Sequence, residues 1–205
     1  MEDLEFDRAL ITAALELAAQ RGWCRVSVAQ AARHAGLPLD RARGRFPGRM
    51  AVLLRFVRMA DRAALAAATD DGSAKDRLFD LLMRRIDVLQ SHRAGVLAVM
   101  RALPADPGAA LLLATVNVRS MGWMLEAAGV SAVGPFGRLR AKGLLAVWLW
   151  TLRAWRRDSS DDLAATMAAL DQALTQAGQA ANWLRTRPPA APPPPDAPAT
   201  PPDGA

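Results

Sequence analysis

One cysteine, Cys24, occurs in 205 residues, so an intrachain disulfide framework and a cysteine-built metal site are both excluded. Lysine is confined to Lys75 and Lys142, and tyrosine is absent. Arginine is therefore almost the whole cation supply. Runs of β-branched residues are scarce, which argues against a sheet. No uncharged apolar run reaches the ~18 residues of a membrane span. The start, MEDLEFDRAL, is acidic and carries no hydrophobic targeting segment. The expectation is a cytoplasmic protein with no membrane span. His34 and His92 are the only histidines, neither with an acidic or nucleophilic partner at useful spacing, and no Gly-rich phosphate loop occurs. Nothing here points to an enzyme, a cofactor or a metal site.

What the chain does have is apolar content of 52%, most of it Ala and Leu, against 22% charged residues. Both are strong helix formers, so an all-α fold is expected, long enough for one large or two small domains. The net charge is +6. From Arg21 to Arg58 there are nine arginines against one acid, Asp40. More than the whole net charge sits in that stretch, as nucleic-acid binding would require.

The same stretch carries the clearest local pattern. Ser27 suits a helix N-cap, and Val28, Ala31, Ala32 and Ala35 follow at helical spacing. Gly36 can turn the chain in the left-handed region. Pro38 and Leu39 restart a helix, with Asp40 in its first turn, where an acid complements the dipole. The second helix, Leu39 to Arg45, carries Arg41, Arg43 and Arg45 and leaves Ala42 and Phe46 to face inward. Two short helices, a glycine turn and a basic second helix are the parts of a helix-turn-helix.

The order Gly36-Leu37-Pro38, a short helix, then Phe46-Pro47-Gly48-Arg49 and a run of aliphatics resembles the DNA-binding domain of TetR-type regulators. So do the preceding helix from Asp7 to Arg21 and the segment Cys24 to Val28. The match covers about the first sixty residues, and the rest in length and helical content. It implies a TetR-like fold of about nine helices: a three-helix DNA-binding domain over 1–48, a ligand-binding and dimerisation bundle over 49–186, and a disordered Pro-rich tail over 187–205. It also implies a DNA-binding set of Ser27, Arg33, Pro38, Leu39, Asp40, Arg41, Arg43, Arg45 and Arg49. Where the family usually has Tyr or His against phosphate, this chain has Arg43, Gly44 and Arg45.

Beyond that module the expected helices are 49–69, 75–90, a short one to about 103, 108–128, 139–157 and 160–184, the last capped by Ser160 or Asp161. Gly129 to Gly137 reads as a loop. The helix over 108–128 is apolar enough to be buried on most sides. Trp123, Met83, Met100, Met121 and Met124 are candidates to line an apolar effector pocket, with Thr115, Asn117 and Arg119 as its polar groups. The resemblance implies that the last two helices build a four-helix dimer interface. Its candidates are Leu144, Val147, Trp148, Thr151, Leu152 and Trp155 on one helix, and Leu163, Met167, Leu170 and Leu174 on the other.

The expected function is a homodimeric TetR-type regulator, with repression as the expected mode. Double-stranded DNA and an apolar small-molecule effector are its partners. A second resemblance stands beside it. Trp155 to Asp161, Thr166 to Asp171, Gly22-Trp23 and Phe46-Pro47-Gly48 are similar to the ubiquinone-biosynthesis accessory proteins. Those share the TetR fold, hold isoprenoid lipid in the bundle and do not act as repressors. A dimeric scaffold working through the proline-rich tail is a third expectation.

Overall fold

The computed structural model describes residues 2–186, and the segment expected to form a proline-rich tail lies outside them. Among the described residues there are nine α-helices and no strand: α1 (Asp3–Arg21), α2 (Val28–His34), α3 (Leu39–Arg45), α4 (Arg49–Leu65), α5 (Ala74–Gln90), α6 (Arg93–Ala102), α7 (Pro107–Ala127), α8 (Gly134–Arg157) and α9 (Ala164–Thr186).

The first three helices form where the local chemistry asks for them. α1 starts four residues before the expected Asp7, because Glu5 accepts from the Glu2 amide at 3.2 Å. Asp3 and Glu5 also lie in its first turn, at the positive end of the dipole. Ser27 caps α2 as expected: its hydroxyl accepts from the Gln30 amide at 3.2 Å while the Gln30 side chain accepts from the Ser27 amide at 3.0 Å. Gly36 makes the turn at φ +64°, and the Leu37 amide closes back on the Ala32 carbonyl at 2.8 Å. Phe6, Leu10, Trp23, Ala31, Ala42 and Phe46 fill the space between the helices.

α1 does not stop at this module. A Cβ built on Gly95 of α6 would sit 2.4 Å from the Leu15 carbonyl oxygen of α1. The two backbones touch, and only glycine allows it. α1 thereby seats the N-terminal module directly on the bundle formed by α4 to α9.

Three expectations about the bundle change. α7 is buried on one side only, through Ala109, Ser120, Met121, Met124 and Leu125. Its Leu111 is 71% and its Trp123 63% exposed. By length and composition α7 would also suit a membrane crossing, with a mean hydropathy of 1.2, but here it packs against α4, α5 and α8. α8 begins at Gly134, inside the stretch read as a loop. α9 begins at Ala164, and neither Ser160 nor Asp161 caps it. Asp158 does that work, accepting from the Thr166 amide at 2.8 Å, the Thr166 hydroxyl at 2.7 Å and the Ser160 amide at 3.1 Å. Hydrogen bonds from Ser160, then Thr166, hold its carboxyl well below the usual carboxylate range.

The expected dimer residues are interior. Leu144, Val147, Trp148, Thr151 and Trp155 of α8 are buried, as are Leu163, Leu170 and Leu174, with Leu152 and Met167 half-buried. α8 and α9 pack on each other and on the rest of the bundle within one chain, so this face is subunit core.

Candidate functional site

The outer surface of the helix-turn-helix is assembled by α2 and α3. Arg33, Pro38, Leu39, Asp40 and Arg43 are exposed there, beside the capping Ser27. Arg33 and Arg43 have no ion-pair partner among the described residues.

Arg41 and Arg45 differ from the expectation. They stand four apart on α3 and face α1, whose acids Asp3 and Asp7 stand four apart in the same way. Arg41 meets Asp3 at 2.7 Å and covers the Phe6 ring at 4.4 Å. Arg45 meets Asp3 at 2.7 Å and Asp7 at 2.7 Å. Arg55 of α4 completes the ladder, hydrogen-bonding Asp7 and the Arg45 carbonyl at 3.0 Å. Burial acts to raise the Asp7 pKa, but Arg45 and Arg55 outweigh it and hold the carboxyl below its ordinary value. Arg45 is pushed up in return, chiefly by its hydrogen bond to Asp7. These arginines fasten α3 to α1 and α4 and do not point at a groove. Arg49 is also engaged, with the Cys24 carbonyl at 3.2 Å and Asp106 at 3.6 Å.

His34 proves to have an acidic partner after all. Glu16 lies 3.0 Å from its Nε2, brought there by the packing of α1 on α2 across 18 residues of sequence. His92 is half-buried and edge-on to Phe56 at 5.7 Å. No group of three metal-ligating side chains occurs among the described residues.

The bundle encloses a cavity of about 320 Å³ walled by α1, α4, α5, α6, α7 and α8. Its lining is mostly aliphatic and aromatic, from residues such as Leu53, Phe56, Val99, Leu113 and Trp148. Of the expected pocket residues, Met100 and Asn117 line it. Met121 and Met124 lie on the same face of α7 one to two turns further on, where the core closes solid around them. Met83 is half-buried outside the lining, Trp123 is exposed, and so are Thr115 and Arg119.

Arg85 was not anticipated and dominates the cavity wall. Only 2% exposed, it lies over the Trp148 ring at 4.5 Å, and its Nη2 donates to Asn117 Oδ1 at 3.0 Å. Its Nε stands 3.0 Å from Asp61 Oδ1, out of line for a hydrogen bond, and Nη1 has no hydrogen-bond partner among the described residues. Asp61 in turn accepts from the Ser120 hydroxyl at 2.5 Å. Burial pulls the Arg85 pKa down, and the Asp61 charge opposes it. The sequence held a signal: residue 85 falls on the buried stripe of Leu78, Leu82 and Leu89, where a charge is out of place.

An exposed, basic helix-turn-helix seated on a helical bundle with an internal apolar cavity defines a class: DNA-binding modules with a sensor built in. No family model and no curated protein matches the sequence. Solved structures do match. A TetR transcriptional regulator from Nitrosomonas europaea is 25% identical over 84% of this chain and 98% of its own, with a TM-score of 0.69. A TetR-family regulator from Streptomyces coelicolor is 20% identical over 94% of each chain, with a TM-score of 0.59. One from Syntrophomonas wolfei, described as putative, is 11% identical over 88% and 97%, with a TM-score of 0.61. The chain has the fold of the TetR-family transcriptional regulators.

Proposed function

We propose that the chain is a homodimeric, TetR-type DNA-binding transcriptional regulator whose affinity for its operator is set by an apolar effector in the bundle cavity. The observation that carries this reading is the outer side of α3, held rigidly by the arginine–carboxylate ladder and left exposed. Its N-terminal residues Leu39 and Asp40 are the ones a recognition helix presents to base edges, where Asp40 would accept from a cytosine amino group. Arg33 and Arg43, unpaired, are suited to flanking phosphates.

The effector step follows from α4. It begins just after Phe46-Pro47-Gly48, and its Leu53, Phe56, Val57 and Ala60 form one wall of the cavity. A ligand that fits one placement of α4 better than another shifts the separation of the two DNA-binding modules.

The test is binding to a labelled duplex from the protein's own upstream region at two salt concentrations. Arg33→Ala/Arg43→Ala is expected to weaken binding at least tenfold and to flatten the salt slope by about 2, one per lost phosphate contact. Binding without sequence preference, equal in wild type and variant, would sink the reading.

Dimerisation has a candidate surface opposite the buried face of α8. Phe136, Leu139, Gly143, Ala146 and Trp150 repeat at three and four residues, and every one is exposed. That is the spacing of a helix–helix seam, and Phe136 and Trp150 are 75% and 57% exposed. Leu139→Glu/Trp150→Glu should convert a dimer to a monomer in sedimentation equilibrium with helical content unchanged. A variant that remains dimeric, or a wild type that is monomeric throughout the micromolar range, excludes this surface.

A second reading is favoured by the ladder itself. Two of the three α3 arginines are neutralised by α1 acids, which weakens the basic face and suits a lipid-binding accessory protein on the same fold. Isoprenoid extracted from the purified protein, together with no selective duplex binding, would decide for it.

A further inference from the structure

We propose that the bundle cavity selects a neutral amphiphile whose carbonyl-type oxygen accepts a hydrogen bond from Arg85 Nη1 while its apolar chain runs to a mouth between α7 and α8. The proposal rests on the effector reading and gives the ligand its chemistry.

The first argument is the unmatched donor. Arg85 is almost wholly buried in the cavity wall, and its Nη1 has no hydrogen-bond partner among the described residues. An unsatisfied buried donor is costly, and more so on a charged group. An acceptor oxygen in the cavity removes that cost. The guanidinium cannot swing away to find another, because Trp148 lies beneath it at 4.5 Å and Asn117 Oδ1 holds Nη2 at 3.0 Å. Asn117 is itself oriented, its Nδ2 donating to the Leu113 carbonyl at 2.8 Å.

The second argument is charge. Asp61 already stands 3.0 Å from Nε and neutralises the guanidinium. Every other lining residue except Asn117 is apolar. A ligand carboxylate would leave one net negative charge in this apolar space with no further counter-ion, and a ligand cation would face Arg85 directly. A neutral acceptor satisfies the donor without either penalty.

Size and access set the rest. At ~30 Å³ for each small group, about 320 Å³ holds roughly ten non-hydrogen atoms. Ala114 of α7 and Leu149 of α8 line the cavity and are exposed, which puts the opening between these helices. The head is also wired to α4, since Asp61 belongs to α4, Arg85 to α5, and Asn117 and Ser120 to α7. Occupying Nη1 acts on the network that ties the linking helix to the bundle.

The experiment uses the full chain and three soluble probes of matched length: methyl heptyl ketone, nonanoate and nonylammonium, titrated by calorimetry. The ketone should bind at least tenfold more tightly than either ion. Arg85→Leu/Asp61→Leu, which removes both charges and strands neither, should lose about tenfold for the ketone and the preference with it. Nonanoate binding as tightly as the ketone, no detectable ketone binding, or a folded double variant with undiminished ketone affinity would each overturn the proposal. If the double variant does not fold, the wild-type ranking decides alone. Ketone selectivity in a protein that ignores the duplex leaves this proposal standing and removes the regulator reading. Duplex binding without ketone selectivity does the reverse.

Discussion

Asp7→Ala should destabilise the N-terminal module by about 2–3 kcal/mol and unfasten α3. The carboxylate is 14% exposed and serves two arginines on two different helices, Arg45 and Arg55. Removing one member of a buried charge set costs about 3–5 kcal/mol, because the partners stay behind uncompensated. The exposure of Arg45 and Arg55, 24% and 30%, lets water repair part of that loss, hence the lower figure. The released cations should raise non-specific, salt-sensitive DNA binding while sequence selectivity falls, since α3 no longer has one orientation. The acid response provides a second check. The folded-state pKa of Asp7 is depressed, so its contribution is present above the ordinary carboxylate value of about 3.9 and is lost as pH falls through the folded value. Wild type should lose stability on that acid limb, and Asp7→Ala should lose less of it. A variant as stable as wild type with the same acid limb would show that the ladder holds nothing together.

Trp155→Ala should cost the bundle about 3–5 kcal/mol, the range for emptying a large aromatic site in a core. Trp155 is fully buried, and its Nε1 donates to Gln90 Oε1 at 2.9 Å. The Arg93 guanidinium stacks on the ring at 4.7 Å while donating to the Trp155 and Asp158 carbonyls at 3.0 and 2.6 Å. One substitution therefore opens a cavity, strands an acceptor and loosens the clasp between α5, α6 and the α8–α9 corner. Trp155→Phe keeps most of the volume and should recover more than half of the loss in urea denaturation. Equal losses in the two variants would assign the stabilisation to the indole hydrogen bond instead of the packing.

Much of this was legible along the chain because it is local chemistry. The cap at Ser27, the turn at Gly36, the limits of α3 and the break at Pro47-Gly48 depend on residues within one or two turns of each other, and the structure places them as the pattern required. The class of fold was legible for the same reason, from helical periodicity and an Ala- and Leu-rich composition. The partners of Arg41 and Arg45 were not read, although the clue was present: Asp3 and Asp7 repeat the same four-residue step. Matching two such ladders requires knowing which face of α3 meets α1, and periodicity along one helix does not say which helix lies opposite.

The same gap explains α8. Its sequence shows two apolar stripes, one through Leu144, Val147, Trp148, Thr151 and Trp155, the other through Phe136, Leu139, Gly143, Ala146 and Trp150. Either could have been core. The richer stripe went inward because burying it removes more apolar surface from water, so the poorer one stays outside and becomes the candidate for a second copy. Met121, Met124 and Met100 share a helical spacing with cavity walls and with solid core alike, and only the distance between α4, α5 and α7 at each level separates the two. Arg85 was visible as a charge on an apolar stripe, but its unpaired Nη1 exists only once Asp61, Asn117 and Trp148 have taken their places around it. The sequence by itself determined the helices, their caps and the basic N-terminal module, because each depends on neighbours in the chain. The tertiary structure decided which faces are core, which arginines are spent and where the cavity lies, because those depend on residues brought together from 30 to 60 positions apart.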